Sequence, residues 1–331
     1  MERRALGSTG LMVSRMGLGM AALGRPGYIN LEHAADLARN YDKAAMEGRT
    51  FEVLDAAWDA GICYFDVARS YGLSEKFLGN WLSRRAVSPK SVTVGSKWGY
   101  TYTADWQIEA QAHEIKEHSL ATFERQWRET MEFLSGYLNL YQIHSATAES
   151  GVLENREVLR ELARLKSEGL KIGLTSSGPR QGETLSKAIE LEIDGVRLFD
   201  VVQATWNLLE PSAGPALSEV HAAGVGVIVK EALANGRLTI RNKEPGFALK
   251  LTLLEAETRK LQTSIDALAL AACLSQPFAD VVLSGATTVA QIISNLQACH
   301  LNIDRATVAR WSELAEPPEL YWSTRSKLPW N

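Results

Sequence analysis

Short apolar or β-branched runs alternate with helical patterns along almost the whole chain. Short runs bounded by turn residues are typical of buried strands, whereas apolar residues three and four positions apart are typical of amphipathic helices. The strand candidates are 16–19, 62–66, 92–96, 138–143, 171–175, 199–204, 226–229 and 281–283. The pattern therefore predicts strands that are separated by helices.

Helical spacing is clearest in three of the intervening segments. They are Phe77, Leu78, Trp81 and Leu82 after a Ser74 cap, Val158, Leu159, Leu162 and Leu165 closed by Gly169, and Val289, Ile292, Ile293 and Leu296 after the last strand. Strict alternation of strand and helix predicts a parallel sheet, either closed into a barrel or doubly wound. The segment Gly17-Leu-Gly19-Met-Ala-Ala22, at the first strand candidate, lacks the third glycine of a dinucleotide-binding fingerprint. We therefore predict an α/β fold, a (β/α)8 TIM barrel, with residues 1–331 as a single domain.

Three segments depart from the even spacing. Residues 4–13 have a glycine-centred turn between short extended pieces, which predicts an N-terminal β-hairpin that plugs the barrel bottom. Residues 24–50 form a long mouth loop, within which the charged, Ala-rich segment 31–47 predicts an added helix. Residues 98–118 form a second long loop with several aromatic residues, which either line a pocket or pack the loop onto the rim.

Composition narrows the classes of partner. Lys and Arg number 35 against 39 Asp and Glu, and this net charge of −4 gives no reason to expect nucleic acid or a membrane as partner. Cys63, Cys273 and Cys299 lack disulfide or metal-site spacing, so we expect reduced thiols, no metal and a cytoplasmic protein. No heptad run indicates an oligomer, so a monomer is the default.

Polar residues stand at the carboxyl ends of three successive strand candidates. Asp66 ends the second, Lys97 follows the third and His144 follows the fourth, while Tyr71 lies five residues after Asp66. Because the carboxyl ends of barrel strands converge, we expect these four side chains to lie in contact at the catalytic face. Each residue alone is more often a loop cap or a solvated side chain, but the four together have complementary roles.

Those roles fit the transfer of a hydride to a carbonyl, which leaves an alkoxide in need of a proton. A tyrosine with its ordinary pKa of about 10 donates that proton only when the pKa is lowered, and a buried lysine ammonium lowers it. Asp66 favours the charged form of Lys97, and a neutral His144 orients the carbonyl oxygen. An alternative role for Lys97 is that of a Schiff-base nucleophile, as in aldolase-like barrels.

With these residues, the chain resembles the aldo-keto reductases over its length. The Asp66–Tyr71–Gly72 unit, followed by Ser74-Glu75 and Leu78-Gly79, is similar to the motif of that family. The resemblance implies that Tyr71 donates the proton, that Lys97 and Asp66 set the pKa of Tyr71, and that His144 orients the carbonyl. It also implies a nicotinamide cofactor and a small-molecule carbonyl or alcohol (aldehyde, ketone or sugar) as substrate. The alternative is a nicotinamide-binding regulatory or sensor subunit with little turnover.

The resemblance also implies residues that contact the cofactor and the substrate. The cofactor residues are Gly19, Met20, Asp66, Thr175, Ser176, Gln203, Lys230, Leu233, Gly285, Thr287, Gln291 and Asn295. Gly285 precedes a helix N-terminus that favours phosphate charge. The substrate residues are Tyr28, Trp98 and Tyr100.

This chain departs from the family pattern at the cofactor. The seventh strand continues into Lys230-Glu-Ala-Leu233, where the family commonly has an aromatic or small residue followed by Ser-Pro-Leu. No Arg or Lys stands between Ser284 and Asn295, where many members bind the 2′-phosphate of NADP. Substitutes for that missing cation are Arg237, Arg241 and Lys243 from the preceding loop. The family majority favours NADP(H), with NAD(H) as the alternative.

Overall fold

The computed structural model describes all residues from Met1 to Asn331. Its strands are β1 (Arg3–Ala5), β2 (Met12–Ser14), β3 (Met16–Gly19), β4 (Tyr64–Asp66), β5 (Thr93–Trp98), β6 (Tyr100–Tyr102), β7 (Glu114–Lys116), β8 (Leu138–Ala146), β9 (Lys171–Ser176), β10 (Glu192–Ile193), β11 (Val196–Arg197), β12 (Val201–Thr205), β13 (Gly226–Lys230) and β14 (Val281–Ser284). Its helices are α1 (His33–Asp36), α2 (Lys43–Asp59), α3 (Ser74–Arg84), α4 (Leu120–Leu134), α5 (Arg156–Ser167), α6 (Gln181–Glu190), α7 (Gly214–Ala222), α8 (Ala248–Leu261), α9 (Ile265–Leu274), α10 (Val289–Leu296), α11 (Arg305–Arg310) and α12 (Pro318–Ser326). No helix is both long enough and apolar enough to cross a membrane.

Eight parallel strands close into a barrel in the order β3, β4, β5, β8, β9, β12, β13 and β14. Closure is complete because β14 pairs with β3, with Leu283 opposite Gly17. These strands correspond to the predicted runs, with small differences at their ends. The predicted TIM barrel is therefore confirmed.

The barrel wall separates two apolar layers. Val202, Val227 and Val229 belong to a cluster of 70 buried residues that joins the strands to the surrounding helices. Val201 and Ile228 belong to a smaller cluster of 8 buried residues inside the barrel. Successive side chains of a strand point to opposite faces, so these continuous apolar runs fill both layers.

The N-terminal hairpin fills the bottom of the barrel, as predicted. β1 and β2 pair antiparallel, and Leu6 in the turn is fully buried in the inner cluster. Gly7 has a φ of +51°, and a Cβ atom there would lie 2.3 Å from the backbone nitrogen of Gly226. Only glycine tolerates both this conformation and this close approach.

The added helix predicted over 31–47 is present only as the short α1, so its predicted extent is wrong. α1 ends at Asp36, and Ala38 and Arg39 then have left-handed φ values of 51° and 52°. Asp42 begins a new helix, because its side chain accepts a hydrogen bond from the backbone N–H of Ala45 at 2.9 Å. The second half of the segment therefore belongs to α2, the barrel helix, and Asp42 is the capping signal that distinguishes the two.

The predicted Ser74 cap is also wrong. The N-cap position of α3 is Leu73, and Ser74 is the first helical residue. The Ser74 hydroxyl donates instead to the carbonyl of Ala68 at 3.3 Å. The second long loop, 98–118, contains a hairpin in which β6 and β7 pair antiparallel across the barrel mouth.

Candidate active site

One elongated cavity of about 570 Å³ lies at the carboxyl end of the barrel strands. Asp66, Tyr71 and His144 line one end of it. At the other end, Gly285 and Gln291 contribute from the turn after β14 and from α10. We call the first the catalytic end and the second the α10 end.

Lys97 lies beneath the catalytic end. Its side chain is fully buried, and its ammonium donates to a carboxylate oxygen of Asp66 and, at 2.9 Å, to the carbonyl of Val67. The ammonium nitrogen is 4.7 Å from the centre of the Tyr71 ring. Burial lowers the pKa of Lys97, and the adjacent Asp66 opposes that shift. The ion pair therefore holds a cation under the phenol ring.

Asp66 is positioned from several sides. It ends β4, where it pairs in register with Gly19 and Gly95 of the neighbouring strands. Its second carboxylate oxygen accepts hydrogen bonds from the Gln203 amide at 2.8 Å and the Tyr64 hydroxyl at 3.3 Å. A buried carboxylate with all these partners is a rigid support, because losing any one leaves an unpaired polar group.

Tyr71 and His144 meet on the cavity wall. The Tyr71 hydroxyl lies 3.5 Å from Nε2 of His144, and the Ser70 hydroxyl lies 3.4 Å from Nδ1. We assign the ring hydrogen to Nε2, since the Ser70 hydroxyl can then donate to Nδ1. Burial and then the charge of Lys97 hold the pKa of His144 well below its ordinary value. The imidazole is therefore neutral over the usual working range of pH.

The pKa of Tyr71 differs from the sequence-based expectation of a lowered value. Burial, followed by the charge of Asp66, raises it well above the ordinary value. The physical reason is that Asp66 balances the charge of Lys97 at contact distance, whereas burial penalises the phenolate without compensation. The phenol is thus protonated, which is the form that donates a proton.

Most of the cofactor residues implied by the resemblance line this cavity. They are Gly19, Asp66, Gln203, Lys230, Leu233, Gly285, Gln291 and Asn295. The others, Met20, Thr175, Ser176 and Thr287, are buried behind the wall. The Thr175 hydroxyl accepts a hydrogen bond from the backbone N–H of Ser145 at 2.7 Å. Ser177, rather than Thr175 or Ser176, lines the cavity at this strand end.

The three substrate residues are not placed together. Tyr28 and Tyr100 line the cavity, and the Tyr100 ring centre is 4.9 Å from that of His144. Trp98 is fully buried against Phe123, with ring centres 5.1 Å apart, and does not reach the cavity. The reason is strand alternation: Lys97 points into the barrel, so Trp98 points toward the helices.

Lys230 at the end of β13 also lies at the catalytic end. Its ammonium donates to the Thr205 hydroxyl at 3.0 Å and lies 3.9 Å from a carboxylate oxygen of Glu231. Glu231 in turn is bonded more closely by Arg325 of α12, whose Nε donates to both its carboxylate oxygens at 2.9 and 3.0 Å. Burial lowers the pKa of Lys230 to about 8. The ion pair with Glu231 is therefore present but loose.

Sequence reasoning missed several residues of the wall that come from distant segments. Arg25 donates to the carbonyl of Ser70 at 2.9 Å and to Glu114 at 2.8 Å. Its guanidinium carbon lies 4.8 Å from the ring centre of Trp330 and 5.4 Å from that of Tyr71. No local signal pairs these residues, because the chain segments meet only in the closed barrel.

Asp36 and Arg241 were also missed as a pair at the α10 end. Arg241 donates from both terminal nitrogens to the carboxylate of Asp36, at 2.7 and 2.5 Å. The other two candidate cations do not reach the cavity wall: Arg237 forms an ion pair with Glu316, and Lys243 donates to the carbonyl of Ile240.

The residues of the cavity fit a nicotinamide dinucleotide. Nothing lies within 4 Å of a Cβ atom built on Gly285, so a phosphate can approach the backbone there, close to the N-terminus of α10. The buried Ser176 hydroxyl has no hydrogen-bond partner and stands next to Ser177 of the wall. These observations provide an anion cradle on the cavity wall and an unused polar group directly behind that wall.

Comparison with known proteins agrees with this picture. Residues 15–316 match the model of the Aldo/keto reductase family. The chain is 25% identical to an uncharacterized oxidoreductase of Bacillus subtilis, YrpG, over 97% of this chain and 99% of that protein. It is 26% identical to the NADH-specific methylglyoxal reductase of Escherichia coli, over 96% of this chain and 100% of that protein.

Among solved structures, the chain is similar to the aldo-keto reductase AKR11C1 from Bacillus halodurans in its holo form. The TM-score is 0.72 at 22% identity, with 96% of this chain and 97% of that chain covered. This likeness supports the barrel fold.

Proposed function

The chain belongs to the aldo/keto reductase family, and we propose that it is a NAD(P)(H)-dependent oxidoreductase that interconverts a carbonyl group and its alcohol, with Tyr71 as the general acid and base. The observation that carries this proposal is the stack of Asp66, Lys97 and Tyr71 beside His144. A buried ammonium lies 4.7 Å from the centre of the phenol ring, and the phenol oxygen lies 3.5 Å from an imidazole nitrogen on the cavity wall.

Each residue of the stack has a task in the reduction. Tyr71 holds the proton that the substrate oxygen receives, and Nε2 of His144 donates a hydrogen bond to the same oxygen. As negative charge grows on that oxygen, Lys97 stabilises it and the phenolate that follows. Asp66 keeps Lys97 in place and charged. A bound reduced nicotinamide supplies the hydride.

The geometry argues against a Schiff-base role for Lys97. A nucleophilic amine must reach the substrate with a free lone pair. Lys97 instead is fully buried beneath Tyr71 and donates to Asp66 and Val67. A tuning role explains this burial better than an attack on substrate does.

The cofactor is proposed as a nicotinamide dinucleotide held along the whole cavity. Gln203 and Lys230 are the residues that would lie near the nicotinamide, and Gly285, Gln291 and Asn295 would hold the adenosine part. The family majority supports NADP(H), while one relative carries NADH specificity in its name. The substrate is a small aldehyde, ketone or sugar between Tyr28, Tyr100 and Trp330. A cytoplasmic location, as expected from the sequence, is supported by three free cysteines.

The test is absorbance at the reduced-nicotinamide band. The purified protein is mixed with each of NADPH, NADH, NADP and NAD, against a panel of aldehydes, ketones, sugars and their alcohols. We expect substrate-dependent oxidation of at least one reduced dinucleotide. Binding of a dinucleotide without turnover on any carbonyl would instead support the sensor alternative, and absence of binding would contradict the proposal altogether.

A further inference from the structure

The carboxylate of Asp36 is the centre of a hydrogen-bonded cluster at the α10 end of the cavity. Besides Arg241, it accepts from the Gln291 amide at 2.9 Å and the Thr287 hydroxyl at 3.2 Å. Its side chain is 10% exposed. The resemblance places the adenosine part of the cofactor next to Thr287 and Gln291, so this carboxylate occupies the region of the adenosine ribose.

The charge of this region is unfavourable to a second anion. Of the charged residues that line the cavity, Asp36, Asp266 and Arg241 lie at this end, and together they have a formal charge of −1. The turn and helix from Ser284 to Asn295 contain no Arg or Lys. A 2′-phosphate would bring about two further negative charges to this site. At a few ångströms, each like-charge contact costs affinity.

Arg241 is not free to compensate. Its guanidinium already forms a bidentate ion pair with Asp36. One of the same nitrogens also donates to the carbonyl of Leu31 at 3.3 Å. Turning Arg241 toward a phosphate would leave the largely buried carboxylate of Asp36 without its cation, which is costly. The hydrogen bond from the Gln291 amide is likewise directed at Asp36, and the Thr287 hydroxyl is shared between Asp36 and the Gln291 amide oxygen.

Asp36 is better suited to bind a hydroxyl group than a phosphate group. One of its oxygens, Oδ2, accepts from Arg241, Gln291 and Thr287, whereas Oδ1 accepts from Arg241 alone. A carboxylate has about four lone-pair sites in total, divided between two oxygens. Oδ1 can therefore take one more hydrogen bond, which a ribose 2′-hydroxyl supplies and a phosphate dianion does not. In Rossmann dinucleotide-binding folds, an acidic residue that bonds the ribose 2′-hydroxyl is the feature associated with NAD.

We propose that Asp36 is the residue that makes this protein select NAD(H) over NADP(H), by accepting a hydrogen bond from the 2′-hydroxyl and repelling a 2′-phosphate. This inference rests on the proposed function and reverses the preference taken from the family majority. It places the selecting residue at the end of α1, in the segment between β3 and α2, rather than on the turn after β14.

The first test needs no variant. Equilibrium binding of NADH and NADPH to the wild-type protein is followed by quenching of its tryptophan fluorescence, without substrate. We expect NADH to bind at least about tenfold more tightly, as removal of one unfavourable charge contact allows. Equal affinities for the two dinucleotides, or tighter binding of NADPH, would overturn the inference and leave the proposed function standing. Binding of neither dinucleotide would overturn both.

The second test compares two matched neutralising substitutions on the same loop. Asp36→Asn removes the charge within the cluster, whereas Glu32→Gln removes an exposed charge 3.5 Å from Arg241. We expect Asp36→Asn to tighten NADPH about tenfold and to weaken NADH severalfold, with Glu32→Gln leaving both within about twofold. Circular dichroism and the thermal midpoint check that both variants are folded. An unchanged NADH-to-NADPH ratio in folded Asp36→Asn, or the same shift in Glu32→Gln, would refute the assignment.

Discussion

The two ends of the cavity differ in the sign of their charge and in the origin of their residues. At the catalytic end, the Lys97–Asp66 pair is neutral overall, whereas Lys230 and Arg325 share the single carboxylate of Glu231 and leave one positive charge in excess. At the α10 end, Asp36 and Asp266 outnumber Arg241. Lys97, Asp66 and Lys230 stand at strand ends, whereas Asp36 and Arg241 come from the segments between strands.

This difference suggests that the two ends of the cavity have separate functions. Strand ends are held by the ladder of the barrel, so they suit groups whose mutual distances decide the chemistry. Loops vary without disturbing the barrel, so they suit groups that choose among related ligands. If the two ends act separately, a substitution at one end should leave the function of the other end unchanged.

Tyr71→Phe should reduce turnover of a carbonyl substrate by about 10³-fold, because the ring remains but its proton is lost. Binding of the dinucleotide should change little, since the α10 end is untouched. Steady-state kinetics and fluorescence titration measure the two effects. Turnover close to that of the wild type would exclude Tyr71 as proton donor, and a parallel loss of binding would show that the two ends are not separate.

Lys97→Met should reduce turnover by about 100-fold or more and also destabilise the fold. The substitution leaves Asp66 buried without its cation, which costs about 3 kcal/mol in the free energy of unfolding. Urea denaturation measures that cost. Adding Asp66→Asn should restore much of the stability without restoring turnover. Recovery of activity in the double variant would contradict a tuning role for Lys97.

Lys230→Met should change the pH dependence of binding at the catalytic end. Burial lowers the pKa of Lys230 to about 8, so its charge is present at neutral pH and is lost as the pH rises through that value. The oxidised nicotinamide is itself a cation, so its binding to the wild type should tighten by about fivefold across this range. In Lys230→Met, titration of NAD by fluorescence should show the tighter affinity at all pH values. The ratio of NADH to NADPH affinity should stay unchanged.

Ser176→Ala should have the smallest effect. The hydroxyl is buried without a partner, so its removal should change the free energy of unfolding by no more than about 0.5 kcal/mol. If the hydroxyl binds the nicotinamide amide, dinucleotide affinity should fall by about fivefold. Thermal denaturation measures the change in stability, and fluorescence titration measures the change in dinucleotide affinity. Unchanged affinity would remove Ser176 from the cofactor site.

The barrel and the convergence of the four catalytic candidates could be predicted because both depend on local patterns. Apolar runs mark strands, and a polar residue at a strand end must lie at the carboxyl face of a parallel barrel. The errors were local too. The 31–47 helix overlooked the Asp42 cap, and Trp98 was assigned to the pocket although it neighbours the inward-facing Lys97.

The sequence by itself determined the order of strands and helices, the hairpin plug and the residues that the strand ends present. The tertiary structure decided which side chains meet and in which protonation state. Asp36 and Arg241 are separated by 205 positions, and their pairing depends on two loops that face each other only after the barrel closes. Likewise, the raised pKa of Tyr71 follows from burial, which no residue pattern states in advance. Local periodicity specifies elements, but charge contacts and desolvation arise between elements distant in the chain.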